Sequence, residues 1–399
     1  MWALPRSKAT LTRQGRSRHR HGATVAAWVV AAMLSPISAA ENDHDIPSPL
    51  DCDLAGQSDG VERGVNRTNL AWEKNWRGII DQIAVQQISS IRLTLTQPIE
   101  RAADIAAYAD HSGLRVLLNV PLSLSDYYDP TVPSRPGNAK IRSIRRLSDL
   151  DVDRYEAVLR RFLLALDQRK ARLDALEVGN EINWADFNGD LPVGAAGWVL
   201  DETSWPDAPE HGVILKGFQQ YKRAVETSRD MLRASAAGKT ALVISAGLYA
   251  PSAWTTVSGG AALSLPLTKD LFDRLGITQV VDGVAIHVYP PGGSQDEAGQ
   301  ALLLTSLRSA LQVCGLRGAG KPCFVTEWGY PNSAAIAARD DHARLTLFRS
   351  FERGLSCLDR AQDIRAAYLF SWDESPSYSV WRHDRLLDAG RIFNDPPIP

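Results

Sequence analysis

The chain has 399 residues, of which 44% are hydrophobic and 23% charged, the ordinary balance of a globular protein with a full core. Its formal net charge of -2 argues against broad binding to nucleic acid, which usually requires a basic surplus. We therefore expect no nucleic-acid partner.

The N-terminus has the pattern of a secretory signal peptide. Six lysines and arginines but no acidic residue fall within the first twenty positions, an apolar stretch follows over 23–34, and Ser38-Ala39-Ala40 offers small residues for cleavage. The apolar stretch is shorter than the ~20 residues that span a bilayer comfortably. We predict a signal peptide over 1–40, an N-terminal leader over 41–60, and a secreted or periplasmic protein without membrane contact after cleavage. An uncleaved anchor is the alternative.

From residue 61 onwards, apolar strand-like segments alternate with amphipathic helical ones. Strands are predicted over 61–66, 90–95, 114–121, 175–181, 241–248, 280–289, 323–328 and 366–372. Helices are predicted over segments that include 72–87, 152–169, 215–236, 298–313 and 339–358. This alternation indicates βαβ units and a parallel sheet. Eight units predict a single-domain (β/α)₈ TIM barrel over 61–399, with enlarged βα loops after strands 3 and 4.

A doubly wound open sheet is the alternative fold. It would normally carry a glycine-rich phosphate loop after its first strand, and Gly64-Val65-Asn66-Arg67 is not such a loop.

The two long loops, predicted over 122–148 and 183–212, both leave the C-terminal face of the barrel, where sites in this fold are built. They carry aromatic side chains, namely Tyr127, Tyr128, Trp184, Phe187, Trp198 and Trp205. Such rings suit the apolar faces of sugars, or else pack the loops onto the barrel. The first loop also carries a basic cluster at Lys140, Arg142, Arg145 and Arg146. The cluster is most simply a solvated loop, with contact to acidic sugars as the alternative.

Two glutamates close apolar strands: Glu181, after Asn180, closes strand 4, and Glu327 closes strand 7. A pair of carboxyl groups at this face is the equipment of a glycosidase, with one proton donor and one nucleophile flanking a sugar linkage. The alternative is that they are salt-bridge partners. Alternation along strand 4 puts Glu177, Gly179 and Glu181 on one face, so Asn180 reaches the same site only if the strand end bulges or turns.

Export makes disulfides plausible among the four cysteines. Cys314 and Cys323 flank a glycine-rich turn and are predicted to pair, with Cys52 and Cys357 as the second pair. Four buried thiols are the alternative, and the cysteine spacing matches no zinc site.

The strand-end residues, taken in order, resemble those of glycoside hydrolase clan A, and families 5 and 39 are the closest. The resemblance covers essentially the whole chain after the signal peptide. It rests on Arg92, Asn180-Glu181, His287-Val288-Tyr289, Glu327 and Trp372 at successive strand ends. Two departures concern family 5: Asn119 ends strand 3 where many members have His, and Ile182 replaces the usual Pro after Asn-Glu.

The resemblance implies that Glu327 is the nucleophile and Glu181 the acid/base. Arg92 and Tyr289 would keep Glu327 ionised, while burial and the negative Glu327 would keep Glu181 protonated. Asn180 would bind the sugar 2-hydroxyl, and Trp372 would stack beneath the ring. The predicted substrate-binding set is Arg92, Asn180, His287, Tyr289, Trp372, Asn119 and Trp184.

The sequence thus predicts a retaining hydrolase of β-linked oligo- or polysaccharides that works by double displacement without metal or organic cofactor. A transglycosylase on the same scaffold, a catalytically silent carbohydrate-binding protein and a structural envelope protein are the alternatives. Glucan, mannan, xylan, galactan and exopolysaccharide all stay open as substrates, as do endo or exo action and the oligomeric state.

Overall fold

The computed structural model describes residues 60–290, 297–332 and 341–395. The chain divides into two units, Met1–Ile46 and Pro47–Pro399, and the described residues belong to the second. The predicted signal peptide, the leader up to residue 59 and Cys52 lie outside the described residues.

Eight parallel strands form the core of the fold. They are β1 Glu62–Asn66, β2 Ser90–Thr94, β3 Arg115–Val120, β4 Ala175–Val178, β5 with two segments at Leu242–Ile244 and Leu248–Tyr249, β6 Val284–Val288, β7 Cys323–Trp328 and β8 Ile364–Leu369. Each strand pairs with its chain neighbour, and β8 pairs with β1. All eight predicted strands are present.

The barrel closes at β5, whose two segments pair with different neighbours. The first segment pairs with β4 and the second with β6. Between them, the Asp282 amide donates to the Val243 carbonyl at 2.7 Å, and the Ser245 amide donates to the Gly283 carbonyl at 3.1 Å. These bonds join the two ends of the sheet and confirm the predicted (β/α)₈ barrel.

Helices follow the strands and cover the barrel. They are α1 Trp76–Ala84, α2 Ile99–His111, α3 Val152–Arg169, α4 His211–Ala234, α5 Ala253–Ser258, α6 Leu265–Leu275, α7 Ile277–Val280, α8 Glu297–Leu311 and α9 His342–Gln362. The sequence explains where α3 begins and ends. The Asp151 side chain caps its first turn, and Lys170 ends the helix at φ +55°. The buried Tyr155, Leu159 and Phe162 follow helical spacing and face the sheet.

Some predicted boundaries are wrong by a few residues. β6 begins at Val284 rather than at residue 280, because α7 occupies the preceding positions after Gly276, which has φ +75°. β8 begins at Ile364 rather than at residue 366. The helix predicted over 215–236 begins four residues earlier, at His211.

The enlarged loops after β3 and β4 are present, and a third, after β5, was not predicted. It holds α5 and a two-residue strand, Ala262–Leu263, which pairs with Val199–Leu200 of the β4 loop. Elements this short carry too few residues to show a period in the sequence. Tyr127, Tyr128 and Trp205 are buried and pack these loops onto the barrel. In the described ranges, no helix combines the length and hydropathy that crossing a bilayer requires.

The Cys314–Cys323 disulfide is present, which confirms the first predicted pair. It joins the residues just after α8 to the start of β7. The second predicted pair includes Cys52 and therefore lies outside the described residues.

Replacing Cys314 and Cys323 by Ala should lower the free energy of unfolding by about 2–3 kcal/mol, because a cross-link that closes a loop of this size restricts the unfolded chain. Chemical denaturation of the double variant against the wild type measures the difference. Under reducing conditions the wild type and the variant should unfold at the same midpoint, because reduction also opens any second disulfide in both. An unchanged midpoint in the unreduced variant would contradict the expected contribution.

Candidate active site

A cavity of about 390 Å³ opens at the C-terminal ends of the strands. Its lining includes Arg92, Asn119, Asn180, Glu181 and Glu327. Five of the nine residues predicted for the site therefore line one cavity. The structure brings them together from β2, β3, β7 and the segment that follows β4.

Arg92 lies at the centre of the site and is fully buried. Its Nε donates to Glu177 Oε2 at 2.6 Å, and Nη1 donates to Glu327 Oε1 at 2.7 Å and to Asn66 Oδ1 at 2.9 Å. Its Nη2 donates to Asn180 Oδ1 at 2.9 Å. Burial alone would lower the pKa of Arg92, but the charges of Glu177 and Glu327 outweigh it and raise the pKa. The guanidinium is therefore a permanent buried cation that orients three strands.

Glu327 is held by cationic and neutral donors. Besides Arg92, the Tyr289 hydroxyl donates to Glu327 Oε2 at 2.6 Å, and His287 Nδ1 lies 3.7 Å from the same oxygen. Burial by itself would raise the pKa of Glu327. His287, Arg92 and the Tyr289 hydrogen bond together outweigh burial and hold the pKa below its ordinary value. Glu327 is the ionised carboxylate of the site.

Glu181 has the opposite environment. Its side chain is 8% exposed. Among the described residues, the one titratable side chain within hydrogen-bonding distance of it is His287, whose Nδ1 lies 2.7 Å from Glu181 Oε1. Burial raises the pKa of Glu181 most, contact with His287 lowers it, and the negative Glu327 raises it further. The net direction of the pKa shift is upward, so Glu181 is the carboxyl group of the pair that keeps its proton to higher pH.

His287 connects the two carboxyl groups. When Glu181 is protonated it donates to Nδ1, and the neutral ring then carries its proton on Nε2. That nitrogen has no hydrogen-bond partner among the described residues and lies 4.0 Å from Glu177 Oε1. Burial would lower the pKa of His287, but Glu327 and Glu181 outweigh it and the pKa is raised. The imidazole thus responds to the charge of both glutamates.

The end of β4 turns as the placement of Asn180 requires. Regular strand geometry stops at Val178, Gly179 has φ +89°, and Glu181 has φ +44°. A positive φ is costly for a residue with a Cβ atom, and outside helix ends and turns such strained residues cluster at active sites. Because of this turn, both Asn180 and Glu181 reach the cavity, which confirms the predicted irregularity.

Gly247 on the neighbouring strand leaves room for the buried polar cluster. A Cβ atom there would lie 2.7 Å from Glu177 Oε1 and closer still to His287 Nε2. Only glycine therefore fits beside these two side chains in this arrangement.

Two predicted ligand contacts need correction. Trp372 is fully buried and stacks on Trp381 at a centroid distance of 5.1 Å, so its ring has no face open to a sugar. Trp184 is also buried and stacks on Tyr249 at 4.5 Å, within the packing of the β4 and β5 loops. Both rings were predicted to contact a ligand from their position along a strand or loop. That position does not show that later segments of the chain cover them.

Other aromatic and basic residues line the cavity in their place. Trp72, which is 68% exposed, stands on the β1 side, and Phe187 comes from the β4 loop. Arg142 is the member of the basic cluster that lines the cavity, with its guanidinium 4.2 Å from the Phe187 ring centroid and its Nε 3.1 Å from Asp186 Oδ2. The Asp186 carboxylate offsets the charge of Arg142, so this contact gives little reason to expect an acidic sugar.

Residues that support Arg92 were not among those predicted for the site, although the position of Glu177 pointed to them. Asn66 ends β1, and its Nδ2 donates to the Thr326 carbonyl at 2.9 Å. Thr326 Oγ1 in turn donates to Glu177 Oε1 at 2.7 Å. Glu177 shares the inward face of β4, and a carboxylate at that position of a buried strand needs a cationic partner.

Glu181, His287 and Glu327 also form a group whose ligand atoms, one from each, all lie within 4.8 Å of one another. Such a group is able to hold a metal ion. However, Glu327 already contacts Arg92 and Tyr289, and a divalent cation would meet the fixed charge of the guanidinium. The donor set therefore fits a proton-exchanging pair better than a metal centre.

No family model matches the sequence, and no curated protein matches it either. The fold is similar to that of solved structures at low sequence identity. An exo-β-1,4-mannosidase from Opitutaceae bacterium strain TAV5 has a TM-score of 0.51 and 13% identity, with 84% of this chain and 58% of that chain covered. A family 5 xyloglucanase from Paenibacillus pabuli has a TM-score of 0.50 and 13% identity, with 84% and 96% covered. A family 1 β-glucosidase from Thermotoga maritima has a TM-score of 0.50 and 11% identity, with 84% and 97% covered. At these identities the likeness shows a common barrel fold.

The pKa of Glu327 should lie below the ordinary glutamate range, and the pKa of Glu181 should lie above it. We expect Glu327 to lose its proton first and Glu181 to keep its proton to higher pH. Arg92 and Tyr289 donate hydrogen bonds to Glu327, and burial dominates at Glu181. Carboxyl ¹³C shifts of glutamate-labelled protein followed against pH measure both steps of this coupled pair.

The control is Glu327→Gln, which removes the negative charge that raises the pKa of Glu181. In this variant the Glu181 titration should move to lower pH. A Glu327 signal that titrates above that of Glu181 in the wild type would overturn the assignment.

Proposed function

We propose that this protein is a glycosidase that hydrolyses β-linked O-glycosyl bonds with net retention. The observation that carries the proposal is the pair Glu181 and Glu327, with one oxygen of each within 4.8 Å and with opposite protonation preferences. Retaining enzymes hold their carboxyl groups about 5–5.5 Å apart, whereas inverting enzymes need about 6.5–9.5 Å to admit a water molecule. The short separation supports retention.

In the first step, ionised Glu327 attacks the anomeric carbon. A bond forms between that carbon and a Glu327 oxygen while the bond to the leaving oxygen breaks, and Glu181 gives its proton to the departing oxygen. Arg92 and Tyr289 hold the attacking carboxylate in place, and the buried Glu181 keeps its proton until the leaving group needs it.

In the second step, a water molecule attacks the same carbon and releases Glu327. The covalent ester has cancelled the charge of Glu327, so the repulsion that raised the pKa of Glu181 is gone and Glu181 accepts the proton of the water. His287, bonded to Glu181 through Nδ1, is placed to stabilise its ionised form at this stage. Two inversions at one carbon give net retention.

Asn180 is placed to contact the sugar that is cleaved. Because Arg92 donates to its Oδ1, the two hydrogens on Nδ2 are left for a ligand in the cavity that Asn180 lines. A hydrogen bond to the 2-hydroxyl strengthens as the ring flattens in the transition state.

A β-linked oligo- or polysaccharide is the proposed substrate class. Exposed Trp72 and the Phe187 ring offer apolar faces at the cavity, and hydroxyl and amide groups of the lining residues offer hydrogen bonds. The mannosidase, xyloglucanase and glucosidase that share the fold support an O-glycosyl bond as the target. The disulfide and the N-terminal pattern support an exported protein.

Exposure to a panel of activated 2-fluoro glycosides should leave a single sugar covalently bound to Glu327. The fluorine slows both steps, whereas the activated leaving group speeds only the first, so the covalent intermediate accumulates. Intact-protein mass spectrometry detects the added mass, and peptide mapping locates it. The sugar that reacts also identifies the preferred residue at the cleavage point.

The matched control is Glu327→Ala, which should take up no label and lose turnover. Azide should restore turnover in this variant by attacking the opposite face, giving an inverted glycosyl azide. A label on another residue, or wild-type activity in Glu327→Ala, would refute the proposed nucleophile.

Glu181→Ala should lose activity according to the leaving group. Aryl glycosides whose phenol leaves readily need no proton, so their kcat/KM should fall far less than that of glycosides with a poor leaving group. Steady-state kinetics on a graded aryl series measures the difference. Equal losses across the series would rule out Glu181 as the acid.

A further inference from the structure

We propose that Asn119 is a positioning residue for Glu181, and that it acts through the carbonyl of Gly179; this inference rests on the proposed function. The Nδ2 group of Asn119 donates to the Gly179 carbonyl at 2.6 Å in a buried hydrogen bond. The Asn119 side chain also borders the active cavity, although it is only 2% exposed.

The bond takes the place of a missing strand contact. Val120 pairs with Val178 in the β3–β4 register, so a continued parallel ladder would bring the Leu122 amide to the Gly179 carbonyl. Regular β3 ends at Val120, and Pro121 follows. The side-chain amide of Asn119 therefore supplies the donor that the departing backbone no longer offers.

The turn that begins at Gly179 is otherwise held from the two neighbouring strands. The Gly179 amide donates to the Val120 carbonyl at 2.8 Å, and the Glu181 amide donates to the Gly247 carbonyl at 2.9 Å. Without the Asn119 bond, the Gly179 carbonyl loses its side-chain donor. The turn then depends on these two anchors, on the bridge between Asn180 and Gly247 and on the Arg92 contact with the Asn180 side chain. The positive φ of Glu181 is a strained conformation, so we expect the backbone to relax when the Asn119 hydrogen bond is removed.

An amide suits this position because it donates without titrating. An aspartate at position 119 has the same shape but, when ionised, cannot donate to a carbonyl. An imidazole would add a titrating group to a cavity that already holds Glu181 and Glu327. Asn119 therefore fixes the turn while leaving the charge of the site to the carboxyl pair and their partners.

The Oδ1 atom of Asn119 receives no hydrogen bond from any residue in the described part of the chain, and the side chain faces the cavity. A sugar hydroxyl that donates to Oδ1 would bind the same amide group that holds Gly179. Asn119 would therefore connect the placement of Glu181, the proton donor, with the binding of a sugar in the cavity.

The test compares Asn119→Ala and the isosteric Asn119→Asp with Ser123→Ala, a control that removes a polar group from the same cavity lining. The substrates are the 2,4-dinitrophenyl and phenyl β-glycosides of the sugar identified by covalent labelling. Each Asn119 variant should lose on the order of 10²-fold in kcat/KM on the phenyl substrate, because displacement of a catalytic group by about 1 Å costs that much. The loss on the dinitrophenyl substrate should be at least tenfold smaller, and Ser123→Ala should affect both substrates equally.

Hydrogen exchange of the segment 179–184, measured by mass spectrometry without substrate, is the second readout. Exchange should be faster in both Asn119 variants and unchanged in Ser123→Ala, with the β7 segment unaffected in all three. Equal losses on both substrates together with unchanged exchange would overturn the proposal and leave Asn119 as a substrate contact alone. If the wild type cleaves no glycoside while exchange accelerates in the variants, the proposed function fails but the hydrogen bond from Asn119 still holds the turn.

Discussion

The buried positive charge of Arg92 is the constraint on which the rest of the site depends. A guanidinium inside a barrel is tolerated only when carboxylates and carbonyl-type oxygens surround it. Glu177 and Glu327 supply the charge, and Asn66 and Asn180 supply the remaining acceptors. One cation thus fixes the ends of β1, β4 and β7 relative to β2, so the geometry of the site is part of the packing of the barrel.

The distribution of charge around Arg92 also separates the roles of the two glutamates. Glu327 contacts the guanidinium and a phenol, whereas Glu181 contacts a buried histidine. Residues of the same type therefore acquire different proton affinities from their surroundings. His287 lies between them, so a change of charge on either glutamate affects the imidazole.

Departures from regular barrel geometry occur where the chemistry is proposed. β4 leaves strand geometry at Gly179, and β5 divides between two neighbours next to Gly247. Gly179 lies two residues before Glu181, and the Gly247 carbonyl accepts a hydrogen bond from the Glu181 amide. The regular parts of the strands provide rigidity, and the irregular C-terminal ends of β4 and β5 direct side chains into the cavity.

Sequence patterns by themselves determined the barrel, the order of its strands and the positions of its two carboxyl groups, because parallel βαβ units place every strand end at one face. The alternation in β4 even required the turn that Gly179 provides. Tertiary structure decided the rest. It buried Trp372 under Trp381, surrounded Arg92 with Asn66 and Glu177, and gave Asn119 a backbone carbonyl as its partner. The contacts of Arg92 and Asn119 join different strands, and the contact of Trp372 is made with the segment that follows β8. The period of a single strand carries no information about either kind of partner.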